Sequence, residues 1–150
     1  MSHGSMSMSE NFLKLIFDKL DKTKTILEFG SGVGTGKLVD HGYTVYSIEE
    51  NKEYYNLYHY NYLLAEIVDD WYDEKKVFDF VKNKNWDALL IDGPAHGDRK
   101  KMFEILGSDF FMKIPMIFID DIERPNDREL FYMLREGRKY EDFENYGVIM

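Results

Sequence analysis

The chain has no cysteine, so neither a disulfide framework nor a thiolate metal centre is open to it. Proline is scarce, at three residues, which leaves glycine as the main marker of breaks between elements. No apolar run approaches the roughly 20 residues of a membrane span, and no signal-peptide core is visible. A cytoplasmic protein without membrane contact is expected. Basic residues are also short: 19 Lys and Arg stand against 28 Asp and Glu, a formal charge of −9. That sign disfavours a nucleic-acid backbone as partner. What remains is a globular composition, 44% hydrophobic and 16% aromatic over 150 residues, which excludes a disordered chain and fits one domain. Residues 1–9 are polar and rich in Met and Ser, read as a tag-like segment outside the fold. Residues 10–150 are read as a single domain, with no repeat or linker inside it.

The most informative stretch is Thr25-Ile-Leu-Glu-Phe-Gly-Ser-Gly-Val-Gly-Thr-Gly36. An apolar, β-branched run reads as a buried parallel strand. It breaks into glycines at positions 30, 32, 34 and 36 and leads into a short helix ending near Gly42. A strand, a glycine turn and a helix N-terminus together let backbone approach a nucleotide-like ligand. The glycine register discriminates between ligands. A dinucleotide fingerprint needs G-x-G-x-x-G, but from Gly30 the third glycine falls on Thr35, and from Gly32 on Lys37. A phosphate loop fails too, because Gly36-Lys37 is followed by Leu38. The bland alternative is a glycine-rich turn with no ligand at all.

Along the rest of the chain, apolar residues from Phe12 to Leu20 recur at helical spacing, and Thr44–Ile48 reads as a second strand ending on Glu49-Glu50. A carboxylate about 20 residues after the first glycine is where a βαβ unit meets a ribose, which assigns Glu49 to that role. Glu50 stands beside it, favoured at a helix start by the macrodipole. Asn51–Tyr60 is expected to be a crossover helix with packing tyrosines, followed by a strand over Tyr62–Val68 and an acidic loop over 69–74. Lys75–Lys84 and Arg99–Leu106 read as helices. Within Trp86–Pro94 a buried strand ends on Asp92 and is broken by Gly93-Pro94. Ile114–Ile119 is a strand ending on Asp120-Asp121, Arg128–Arg138 a helix, and the last eight residues a final strand. This alternation implies an α/β, Rossmann-like, doubly wound and mostly parallel sheet with helices on both faces. Ligands of such sheets bind outside the carboxyl ends of the strands, where Glu49, Asp92 and Asp120-Asp121 all lie.

The pattern Glu28-x-Gly30-x-Gly32-x-Gly34 resembles the first motif of class I S-adenosylmethionine (SAM)-dependent methyltransferases. The resemblance implies a SAM site built from Glu28, Gly30, Ser31, Gly32, Gly34, Glu49, Glu50 and Asp92. It also implies an acid near the adenine, for which Glu66 matches by position and Asp69 or Asp70 are substitutes, with Trp71 or Tyr72 walling the pocket. The Ile91-Asp92-Gly93 segment resembles the fourth motif of small-molecule O-methyltransferases. Clustered carboxylates repel unless protonated or bound to a cation, and an oxygen-only set suits a hard divalent ion such as magnesium. The set Asp92, Asp120 and Asp121 is similar to the metal site of cation-dependent O-methyltransferases of catechol and macrolide-sugar type. Gly93-Pro94 departs from the catechol-type loop, so the base is open between His96 and Asp92.

These readings predict a SAM-dependent methyltransferase acting on an oxygen of a small molecule or sugar, with Mg2+ or another divalent cation assisting. The shortness of the chain leaves few residues for a substrate lid or for a terminal antiparallel strand pair. The substrate pocket is therefore expected to be open, completed by a homodimer partner, or missing from a shortened chain. The competing readings are a SAM-binding module that needs a partner for catalysis and, disfavoured by the glycine register, an NAD-dependent oxidoreductase.

Overall fold

The computed structural model describes residues 8–150; the tag-like reading of residues 1–7 lies outside the described residues. The first helix, α1 (Glu10–Lys19), starts where Ser9 Oγ accepts the amide of Phe12 at 3.1 Å. It carries Glu10 in its first turn and Lys19 in its last, both favoured by the helix dipole. Met8 is buried with the helix. Met8 and Ser9, within the segment read as tag-like, thus pack with and cap α1.

Strand β1 (Thr25–Phe29) is followed by α2 (Val33–His41), β2 (Thr44–Glu49) and β3 (Tyr62–Leu64). Next come the two-residue strands β4 (Ile67–Val68) and β5 (Trp71–Tyr72), then α3 (Glu74–Val81) and β6 (Ala88–Ile91). The chain continues through α4 (Lys101–Leu106), α5 (Ser108–Met112), β7 (Met116–Asp120), α6 (Pro125–Arg135), β8 (Tyr140–Asp142) and β9 (Tyr146–Ile149). Seven strands form one sheet in the order β3-β2-β1-β6-β7-β9-β8, parallel from β3 to β7 and antiparallel at β9 and β8. The order reverses between β1 and β6, the switch point at which doubly wound sheets open a crevice. One face buries Leu27, Phe29, Leu89, Ile91 and Ile117 against α3 to α6. The other buries Ile26, Val45, Leu90 and Phe118 against α1 and α2. Burial on both faces explains the continuous apolar runs of the parallel strands. Among the described residues no helix is long and apolar enough to cross a membrane.

Four expectations are corrected. Asn51–Tyr60 is a run of turns rather than a helix. Its amides at Tyr54, Tyr55 and Leu57 reach back only three residues, Asn51 Oδ1 caps Glu53, and Asn56 sits at φ +58°. Aromatic side chains lose rotamer freedom in a helix, and Asn hydrogen-bonds its own backbone, so four tyrosines and two asparagines weaken the helical option. The strand over Tyr62–Val68 stops at Leu64, and a separate hairpin follows in which β4 pairs with β5. Its two turn residues, Asp69 and Asp70, both have positive φ (+53° and +69°), the geometry a two-residue hairpin turn requires. A short helix, α5, follows Gly107, where the sequence suggested only a helix end. The terminal antiparallel pair is present, because β8 and β9 are short and a tight turn over 143–145 joins them.

Candidate functional site

Register decides what the rim of the sheet presents. Phe29 is aligned with Ile48 and with Ile91, and Ile91 with Ile119. The next residue on each strand is therefore Gly30, Glu49, Asp92 and Asp120, in one row at the carboxyl edge. A one-residue slip would send the side chains of Glu49, Asp92 and Asp120 to the opposite face, and the buried Ile and Phe row beneath them prevents it. Above this row lies a cavity of about 300 Å³ lined by Gly30, Ser31, Glu49, Tyr72, Asp92 and Arg99, with Glu50, Asn51, Tyr54, Ala95, His96, Asp121 and Arg124 completing it.

On the β1–β2 side the turn is fixed by hydrogen bonds. Gly30 has φ +90°, and a Cβ there would stand 2.7 Å from the carbonyl oxygen of Asp92. Only glycine meets both demands. The Ser31 amide donates to Glu49 Oε1 and the Asn51 amide to Glu49 Oε2, each at 2.8 Å. Each carboxylate oxygen keeps a further lone pair, and Glu49, 6% exposed, turns toward the cavity. Burial raises the pKa of Glu49, and the two amides oppose the shift. Glu28 is fully buried under the turn and does not line the cavity. It accepts from Thr35 Oγ1 (2.8 and 3.0 Å) and Ser47 Oγ (2.7 Å). Burial drives its pKa up to about 8 against those two hydrogen bonds.

The remaining glycines do other work. Gly32 caps α2, its amide donating to Thr35 Oγ1 at 3.0 Å. A Cβ on Gly34 would collide with the Met8 side chain, and one on Gly36 would lie 2.9 Å from the Tyr58 ring. Gly34 and Gly36 make room for packing, and neither lines the cavity. Of the four glycines read as a cradle, only Gly30 faces it.

On the β6–β7 side, Asp92, Asp120 and Asp121 each offer a carboxylate oxygen within 4.8 Å of the others. Asp92's carboxylate takes no hydrogen bond or ion pair among the described residues, and only its backbone carbonyl is held, by Arg99 Nη2 at 3.0 Å. Its pKa is raised well above the carboxylate range by burial and then by Asp120. Asp120 is raised to about 6, by burial and then by Asp121. Arg99, 5% exposed, forks among them, donating to Asp121 Oδ2 at 3.0 Å and to the Pro94 carbonyl at 3.3 Å. Arg124 Nη2 lies 3.7 Å from the same Asp121 oxygen. Three clustered carboxylates thus face one buried guanidinium and one at the rim. The unpartnered Asp92 and the all-oxygen donor set fit a hard divalent cation.

His96 lies on the loop after Asp92, its side chain 84% exposed. Its amide donates to Glu50 Oε1 at 3.0 Å, and its Nδ1 lies 3.4 Å from Glu50 Oε2. Glu50 thus ties two loops together across the mouth. Glu66 is exposed, pairs with Lys76 at 3.1 Å, and lies outside the lining. The chain turns into the β4–β5 hairpin after Leu64, so the position matched to an adenine contact points away. Asp69 and Asp70 form the hairpin turn and also lie outside it. Tyr72 walls the cavity and Trp71 packs in the core on Phe29. Tyr72 Oη is buried without a partner among the described residues, and a Cβ on Gly93 would stand 2.5 Å from it. The sequence missed Arg99, which reads there as the first residue of a helix, and it missed Arg124, Asn51 and Tyr54. The Gly97-Asp98-Arg99 step after a strand-end acid was the available signal for Arg99.

No protein-family model matches the sequence, and no curated protein matches it either. Solved structures do. The chain superposes on MycE, the methyltransferase of the mycinamycin biosynthetic pathway in complex with Mg and SAH, with a TM-score of 0.55 at 14% identity. That match covers 93% of this chain and 44% of MycE, so the chain spans less than half of MycE's length. A TehB-like SAM-dependent methyltransferase from Corynebacterium glutamicum matches with a TM-score of 0.56 at 13% identity, covering 98% of this chain and 89% of that one. Mtq2 of E. cuniculi, in the Mtq2–Trm112 complex responsible for methylation of the termination factor eRF1, matches with a TM-score of 0.51 at 15% identity, covering 95% and 93%. The sheet order, the switch-point cavity and these superpositions together show that this chain has the fold of the class I SAM-dependent methyltransferases.

Proposed function

We propose that the chain is a SAM-dependent methyltransferase acting on an oxygen of a small molecule or sugar, assisted by a divalent cation. The observation that carries the reading is the single row Gly30, Glu49, Asp92, Asp120. It supports a nucleoside-binding role for the turn, because Gly30 and Glu49 share a cavity with Asp92 and Asp121, and Asp120 stands beside them on the same rim. Glu49 accepts the ribose hydroxyls through its free lone pairs, and the backbone at Gly30 and Ser31 lies against the amino-acid end of the ligand. SAM supplies an electrophilic methyl group when bound. With SAM bound, an acceptor oxygen would take the methyl group, SAH would leave as the neutral thioether, and His96 or Asp92 would receive the acceptor proton. His96 is exposed at the mouth and its Nε2 is not engaged by Glu50. Asp92, Asp120 and Asp121 would hold a divalent cation, whose chemistry is to acidify and position the acceptor hydroxyl. The residues mainly align the reacting groups, an effect worth up to several kcal/mol.

Calorimetric titration with SAM, S-adenosylhomocysteine (SAH) and NAD, followed by a methyl-acceptor screen with and without Mg2+, tests the reading. SAH binding and cation-dependent methylation of a hydroxyl are expected. Binding of NAD but neither sulfur compound would end it. A second reading, a SAM-binding module completed by another subunit, is favoured by the openness of the acceptor side, where Arg124 is half exposed. In that case SAH binds, but no acceptor is methylated by the chain alone, either as monomer or as homodimer.

A further inference from the structure

Two hydrogen-bond chains converge on Glu28, and the His59 tautomer fixes the direction of the second. In the first, Thr35 Oγ1 accepts the Gly32 amide at 3.0 Å and lies 2.8 and 3.0 Å from the two Glu28 oxygens. Ser31 Oγ lies 3.1 Å from Thr35 Oγ1 and 2.7 Å from Tyr62 Oη, which extends this chain to the cavity lining. In the second, the Asn61 amide donates to His59 Nδ1 at 2.9 Å, which leaves the ring proton on Nε2. Nε2–H therefore donates to Ser47 Oγ at 2.8 Å, and Ser47 Oγ–H to Glu28 Oε1. The His59 ring stacks on Tyr62, centroids 4.2 Å apart, so the chains are joined at both ends. Both Ser31 and the Asn51–Tyr54 stretch just upstream of His59 line the cavity. His59 itself does not.

We propose that His59, acting through Ser47 and Glu28, is a positioning residue for the ligand-binding turn, although it touches no part of the cavity. The neutral Nε2–H tautomer saturates Ser47, which commits the Ser47 proton to Glu28. Glu28 in turn holds Thr35, and with it the Gly32 amide and the Ser31 hydroxyl, in one orientation. Burial keeps the imidazole neutral, its pKa down to about 4, across the working range. The ligand named in the test rests on the function proposed above; the network does not.

Two readouts on the ligand-free and SAH-titrated protein test this. His59→Phe keeps the stacking on Tyr62 and removes both nitrogens. Its amides over 30–35 should exchange faster than wild type by about tenfold, and its SAH affinity should fall by about five- to tenfold, the worth of one buried hydrogen bond. His59→Gln, which retains a donor, should recover most of both. Ser47→Ala breaks the same chain one step on and carries the test should His59→Phe not fold. Unchanged exchange over 30–35 in these variants overturns the proposal, as does faster exchange with SAH affinity within twofold of wild type. A wild-type protein that binds no SAH would refute the functional reading instead, and the exchange comparison would still judge the network.

Discussion

The two halves of the rim are built on opposite principles. On the β1–β2 side the carboxylates are held: Glu49 accepts two amides, Glu28 gathers two hydrogen-bond chains, and the turn is set before any ligand arrives. On the β6–β7 side Asp92 is unpartnered, and three carboxylates share one buried guanidinium. The first half is preorganised, so little ordering remains to be done on binding. The second carries uncompensated negative charge, which a cation or a donor-rich acceptor would relieve. One fold therefore holds a rigid recognition surface beside an electrostatically strained one, and only the strained one calls for a further component.

The sharpest way to break that contrast is at Arg99. Arg99→Ala should destabilise the fold by roughly 3–5 kcal/mol in urea unfolding, because it leaves buried carboxylates without their counter-charge. A loss under about 1 kcal/mol would mean the acidic side is not strained. Next in size is Glu28. Its folded pKa near 8 lies above the ordinary carboxylate value of 4.5, so the native state holds the extra proton and stability falls as pH rises between the two. His59, lowered from 6.5 to about 4, acts oppositely below pH 6.5. Stability should therefore be nearly level from about pH 4.5 to 6.5 on account of this pair. It should then fall by roughly 2 kcal/mol between pH 6.5 and 8, and Glu28→Gln should abolish that fall in pH-resolved chemical denaturation.

Asp120→Asn alone should raise ligand-free stability by about 1 kcal/mol through lost like-charge repulsion, whereas adding Asp121→Asn also removes the ion pair to Arg99 and should cancel that gain. The double variant should erase any gain in melting temperature on adding millimolar Mg2+; a gain that persists would remove these residues from the cation site. The smallest effect belongs to Tyr72→Phe. Deleting a hydroxyl that is buried without a partner should leave the ligand-free fold unchanged or up to about 1 kcal/mol more stable by thermal melting.

The strands and the rim acids could be read from the sequence because both faces of a parallel sheet are buried. Thr25–Phe29 and Ala88–Ile91 are uninterrupted apolar runs apart from Glu28, and each gives way at the carboxyl edge to a residue that cannot continue it. Glu49, Asp92 and Asp120-Asp121 follow from that break alone. What could not be read depends on contacts distant in sequence. Gly34 and Gly36 look like ligand glycines until Met8 and Tyr58 are seen packed against them. The tyrosines of residues 54–60 have helical spacing, but positive φ at Asn56 and side-chain capping by Asn51 win locally. Glu66 matched by counting along a strand that in fact ends two residues earlier. Arg99 reads as a helix surface residue and is buried only because Asp121 and the Pro94 carbonyl converge on it.

The central claim is that one cavity joins a preformed SAM-binding turn to a cation-seeking acidic cluster. Titration of the wild-type chain with SAH, first in EDTA and then in saturating Mg2+, tests it most directly when run beside the Asp120→Asn, Asp121→Asn variant. SAH should bind in all four titrations, and a separate titration of each protein with Mg2+ should give binding heat in the wild type alone. No SAH binding in either buffer, or equal Mg2+ binding in the variant, would contradict it.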